Sequence, residues 1–97
     1  MDCQIQWEDE ALDDLRQLVE YIAQDDPAAA RRLGLAVVDK VQTLASQPRI
    51  GRRYPSIKEV EIREVPVPPY RVFYRVETQR VVVLAVWHGA RDEPDLN

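Results

Sequence analysis

The chain has 97 residues, 45% of them apolar and 31% charged, a balance that excludes a disordered chain and fits one globular domain with one modest core. Seventeen acidic against 13 basic residues leave a net charge of −4, too acidic for a protein whose main partner is nucleic acid, which calls for several phosphate-neutralising cations. No apolar run approaches the roughly 18 residues that span a bilayer, and the acidic opening "MDCQIQWEDE" lacks the basic start and apolar core of a secretory signal, so a cytoplasmic protein with no membrane contact is expected.

Cys3, Ile5 and Trp7 alternate with Gln4, Gln6 and Glu8, the pattern of a half-buried strand. Cys3 is the only cysteine and has no ligand cluster around it, so neither a disulfide, nor a metal, nor a cofactor is expected. The acidic run Glu8–Glu10 suits the positive end of a helix, and Ala11, Leu15, Leu18 and Ile22 recur at helical spacing, predicting a first helix that ends near Gln24. "DDPAAARR" restarts a helix: Asp26 can cap the unpaired backbone N–H groups, and Pro27 stands where its missing N–H costs nothing. Leu33, Val37, Val41 and Leu44 form its buried stripe, widened by Ala30, Gly34 and Ala45, and Pro48 marks its stop. The short link makes the two helices an antiparallel hairpin. Leu35 falls off the stripe and Val38 lies at its edge; they are either loose periodicity or a second apolar strip open to a partner.

"PRIGRRYPSIK" reads as a loop, with Arg49, Arg52 and Arg53 beside Tyr54. The period then becomes two. Val60 and Ile62 alternate with Glu61 and Arg63, and "VPVPP" interrupts any ladder. In "YRVFYRVE", Tyr70, Val72, Tyr74 and Val76 face one way and Arg71, Phe73 and Arg75 the other. "ETQR" is a hairpin turn, and Val81–Trp87, apolar on both faces, is a central strand. The predicted class is therefore α+β: an N-terminal strand, an antiparallel helical hairpin and a three-stranded antiparallel meander, with the helices on one face of a twisted sheet. One domain spans 1–97, with an acidic tail at about 92–97.

The order and spacing of "ALDDLRQLVEYI", "DDPAAARR", "LASQPRIGRR", "YRVFYRV" and "VVVLAVWHGARD" resemble the ParE/RelE toxin superfamily of type II toxin–antitoxin systems, from Trp7 to about Asp92. The Pro–x–x–Gly–Arg turn at Pro48–Arg52 and the terminal "HGARD" are similar to the ParE branch. The resemblance implies a protein antitoxin that wraps and silences the toxin, a hetero-oligomeric complex, and contact with operator DNA only through the antitoxin. It implies DNA gyrase as the target of the ParE branch, and messenger RNA on the ribosome as that of the RelE branch.

These two actions put different demands on the residues. Metal-independent RNA cleavage needs a base, an acid and a phosphate-binding cation. His88, the only histidine, could serve as an acid or base, and Arg71 matches the position of a phosphate-contacting arginine in RelE-branch nucleases. "HGAR" puts Gly89 and Ala90 where further reactive residues would fall, so His88 is read as a strand-end residue, no catalytic residue is favoured, and Arg71 with His88 is the set a nuclease would use. Arg71 is either an ion-paired sheet residue, matched to Glu61 or Glu64, or a contact for an acidic partner. Arg49, Arg52, Arg53, Tyr54, Arg63, Arg71, Arg75 and Arg91 are the candidates for binding gyrase or antitoxin, since Arg and Tyr anchor many interfaces. The leading expectation is a gyrase inhibitor acting by binding, with an mRNA endonuclease as the alternative.

Overall fold

The computed structural model describes residues 2–55 and 59–89. Its elements run β1 (Gln4–Trp7), α1 (Asp9–Ala23), α2 (Pro27–Thr43), β2 (Arg52–Tyr54), β3 (Glu61–Val67), β4 (Tyr70–Glu77) and β5 (Arg80–His88). The five strands form one sheet in the order β1-β5-β4-β3-β2. β1 pairs with β5 in parallel, and the other neighbours are antiparallel. The expected class holds, with helices on one face of the sheet, and β3–β4–β5 is the expected meander.

The helical hairpin forms for the reasons its sequence suggests. Asp26 Oδ1 accepts a hydrogen bond from the Ala29 N–H at 3.0 Å, and Pro27 occupies the first turn of α2. Asp9 and Glu10 lie in the first turn of α1. α2 ends at Thr43 rather than at Pro48, because the chain tightens into a turn in which the Leu44 N–H bonds the Val41 carbonyl and the Ala45 N–H that of Gln42. Ala11, Val37, Val41 and Leu44 pack on Val65, Val72, Tyr74, Val81, Val83 and Val86 to make the main core. No described helix is long and apolar enough to cross a membrane.

Two departures from the sequence reading shape the site. The stretch read wholly as a loop contains β2, an edge strand whose Tyr54 pairs with Ile62 and Arg52 with Glu64. Nor do the prolines break β3, which continues through Pro66 to Val67. The register of β2 stops at Arg52↔Glu64, so among the described residues no strand lies beside the outer edge of β3 at Val65–Val67. A proline is tolerated on such an edge because no neighbouring carbonyl waits for its N–H.

On the face away from the helices, Tyr54, Ile62, Phe73 and Ala85 form a second, smaller cluster with Val60, Leu84 and Trp87 against it. Trp7 and Trp87 are both only partly buried, each packed against a different cluster. Between β4 and β5 the pairing shifts: Tyr74 pairs with Val83 but Phe73 with Ala85, so Leu84 is an extra residue that bulges out of the ladder. Where β1 has ended, Asp14 of α1 covers the exposed side of β5, its Oδ2 accepting from the Val86 N–H at 3.1 Å.

Candidate partner-binding surface

The segment between α2 and β2 is held rigidly. The Gly51 N–H donates to the Tyr74 hydroxyl at 3.0 Å, while the Gly51 carbonyl accepts from Arg63 Nη1 at 2.8 Å. A Cβ on Gly51 would stand 2.5 Å from that hydroxyl and 2.7 Å from the Glu64 carbonyl oxygen, so close approach is what demands glycine in the Pro48–Arg52 turn. Burial pushes the Tyr74 hydroxyl's pKa up, and the Gly51 N–H opposes the shift without cancelling it.

Two arginine–glutamate–arginine bridges fix the arginines of this region. On the helix side, Glu61 accepts from Arg63 Nε at 2.7 Å and from Arg49 Nε at 2.9 Å. Burial raises the pKa of Glu61, but hydrogen bonds from Arg63 and Arg49 and their positive charge outweigh it and hold the group below its ordinary value. On the open face, Glu64, 10% exposed in its side chain, links Arg52 Nη2 at 2.8 Å to Arg71 Nη1 at 3.5 Å. The Arg71 guanidinium carbon also lies 5.1 Å from the centroid of Phe73. The expected Arg71–Glu64 pairing across strands is therefore present, and Arg71 is 18% exposed in its side chain.

The candidate residues separate accordingly. Arg49 and Arg63 are engaged with Glu61, whereas Arg52 is 73% exposed in its side chain although its tip is bonded to Glu64. Arg53 is exposed and lies opposite Arg63 in the register. Tyr54, expected as a loop contact, is instead 7% exposed, its ring edge-on to Phe73 at 5.1 Å and 79°. The strand pairing of β2 turns it inward. Arg75 sits at the other end of β4, its Nε 2.5 Å from Glu77 Oε2. Hydrogen bonds from Arg75 and Arg80 lower the pKa of Glu77. Arg91 and the tail at 92–97 lie outside the described residues.

The residues of the nuclease alternative are not brought together. Arg71 pairs with Trp87, and His88 pairs with Tyr70. Paired residues share a face and successive residues alternate. Arg71 and Trp87 thus lie on the open face with Phe73, while His88 lies on the helix side, its ring edge-on to Tyr70 at 5.3 Å and 81°. The bulge at Leu84 is responsible. It shifts the alternation of β5 by one, so that Val86 faces the helices beside Val72 and His88 follows it. Among the described residues no group of three or more His, Cys, Asp or Glu side chains converges as a metal site would require.

A second surface lies on the outside of the hairpin. Leu12 and Leu15 of α1 and Leu35 and Val38 of α2 border an apolar groove of about 500 Å³. Leu35 is 53% exposed there and Val38 40%, so both lie on the outer surface of the hairpin and not in the core. Leu12 is exposed as well. Lys40 and Ile50 are features of the first surface that sequence reasoning did not single out. Ile50, an apolar residue inside an arginine-rich turn, was the available signal.

Residues 5–93 match the family model described as the ParE toxin of the type II toxin–antitoxin system parDE. Toxin RelE2 of Caulobacter vibrioides is 36% identical over 89 residues, covering 91% of this chain and 97% of that protein. Toxin RelE1 of the same organism is 31% identical over 77 residues, 78% of this chain and 82% of that protein. Among solved structures, the chromosomal ParDE system from P. aeruginosa superposes with a TM-score of 0.71 at 19% identity, over 89% of this chain and 95% of that one. The archaeal RelE–RelB complex from Pyrococcus horikoshii superposes with a TM-score of 0.70 at 14% identity, over 95% and 100%. The sheet order, the helical hairpin and the match over residues 5–93 agree: the chain belongs to the ParE toxin family of type II toxin–antitoxin systems.

Proposed function

We propose that this toxin acts by binding DNA gyrase, with no chemistry of its own, and that a cognate antitoxin silences it by occupying the hairpin groove and part of the sheet. The observation that carries this reading is the placement of Arg71 and His88 on opposite faces of the sheet. A general acid or base must reach the same phosphate that the cation holds, and the bulge at Leu84 turns His88 away from it. The match to the ParE family and the net charge of −4 support the same reading. Leu12, Leu35 and Val38 offer an apolar seat of the kind that accepts an amphipathic helix. Operator DNA is reached only through the antitoxin in such a hetero-oligomer.

The names of the Caulobacter relatives favour a second reading, ribosome-dependent mRNA cleavage. His88→Ala, expressed without antitoxin, separates the two. Growth arrest of undiminished strength with intact cellular mRNA supports action by binding. Loss of arrest together with loss of mRNA cleavage overturns it.

A further inference from the structure

At the open edge of β3 lies a hollow of about 290 Å³ that neither the core nor the hairpin groove includes. Among the described residues, Lys40, Arg52 and Arg71 line it together with one carboxylate, Glu64. Glu64 is already committed to Arg52 and Arg71. Lys40 has no carboxylate partner among the described residues. The lip is apolar: Ile50 stands 53% exposed, and Pro66 closes the other side. Among the described residues no strand covers this stretch of β3, because β2 stops at Arg52↔Glu64.

We infer that this hollow receives an acidic side chain of the antitoxin, carried next to an apolar residue that covers Ile50. Lys40, without a carboxylate partner among the described residues, and the exposed arm of Arg52 can together hold a carboxylate while Glu64 keeps Arg71 in place. The hollow is too small and too isolated for a polyanion, which the acidic remainder of the chain would repel. The exposed isoleucine speaks for a protein. Lys40 lies in the last turn of α2, the helix whose Leu35 and Val38 border the hairpin groove. An antitoxin segment leaving that groove at the end of α2 therefore passes Lys40 into the hollow. The assignment rests on the antitoxin docking proposed above and is independent of gyrase.

The test uses the full-length toxin and its antitoxin, with dissociation followed by surface plasmon resonance. Lys40→Glu should speed dissociation about tenfold or more and flatten the salt dependence, with an unchanged melting temperature. Ile50→Ser should act in the same direction. Reversing the matching acidic residue of the antitoxin to lysine should restore the affinity of Lys40→Glu, a rescue that a folding defect cannot give. Affinities of Lys40→Glu and Arg52→Glu within about twofold of the parent protein would overturn the assignment. So would a normal antitoxin affinity with loss of gyrase inhibition, which would give the hollow to the target instead. Leu35→Glu separates the two ideas. If it abolishes binding while Lys40→Glu does not, the hollow alone is refuted; if neither weakens binding, antitoxin docking on the hairpin fails as well.

Discussion

Gly51→Ala should destabilise the toxin far more than a glycine-to-alanine change in a turn normally does. None of the three glycines has a positive φ, so the backbone at Gly51 would accept alanine, and by chain entropy alone the change would stabilise by about 0.4–1 kcal/mol. The added Cβ, however, meets the Tyr74 hydroxyl at 2.5 Å and the Glu64 carbonyl oxygen at 2.7 Å, both in the interior. Overpacking of this kind costs about 1–3 kcal/mol. Pushing the Tyr74 ring aside also breaks the bond from the Gly51 N–H, and a buried hydroxyl left without it adds about 1–3 kcal/mol. Against the small entropic gain, the net loss is about 1–5 kcal/mol, which lowers the melting temperature by roughly 4–40 °C in a domain of this size. Urea and thermal unfolding of Gly51→Ala, Tyr74→Phe and the double variant measure it. The double variant should recover part of the loss, since removing the hydroxyl clears the closest contact while the Glu64 carbonyl remains. A Gly51→Ala protein as stable as the parent, or a double variant with strictly additive losses, would refute the close-approach account of the Pro–x–x–Gly–Arg turn.

Other outcomes follow from single contacts. Asp14→Ala removes the acceptor for the Val86 N–H and should cost about 1–3 kcal/mol, with faster hydrogen exchange at that amide; unaltered exchange would contradict the bond. The lowered pKa values of Glu61 and Glu77 mean that the unfolded chain takes up protons before the folded one does as pH falls. Their contribution is thus present above the ordinary carboxylate value of 4.5 and lost as pH drops through the lowered folded values. Glu61→Gln should shrink that acid-induced loss of stability in a urea titration across pH, and an unchanged profile would count against the Arg49–Glu61–Arg63 bridge. Leu12→Lys and Leu35→Lys should leave the melting temperature of the isolated toxin nearly unchanged, as expected for exposed residues; a large drop would show that the groove is not open.

The helical half of the fold was legible because its signals are local. Asp26–Pro27 starts α2 whatever surrounds it, and the apolar stripe of α2 carries its own period. The sheet was legible only in outline. β2 is a strand because β3 is beside it, and nothing within "RRY" announces that pairing, so Tyr54 read as a surface aromatic when it is part of the second cluster. Pro66 looked like an end to β3 because the sequence does not reveal that no described strand pairs with it on that side. Leu84 is the most instructive case. Val81–Trp87 is apolar on both faces, so an extra residue leaves no mark in the hydrophobic pattern, yet it decides whether His88 shares a face with Arg71. Among the site residues, the sequence offered an ion pair of Arg71 with Glu61 or Glu64 as one of two readings, because cross-strand charge pairs follow from alternation, and the structure selects Glu64. It did not separate arginines engaged in bridges from those with exposed arms, which depends on tertiary placement.

The most direct test of action by binding is gyrase activity itself. Purified toxin, free of antitoxin, is mixed with gyrase, relaxed plasmid and ATP, and supercoiling is followed as a function of toxin concentration, with His88→Ala in parallel. The account predicts dose-dependent loss of supercoiling, equal for parent and variant, and relief on adding antitoxin. Normal supercoiling by gyrase in the presence of folded toxin that still arrests growth would contradict it.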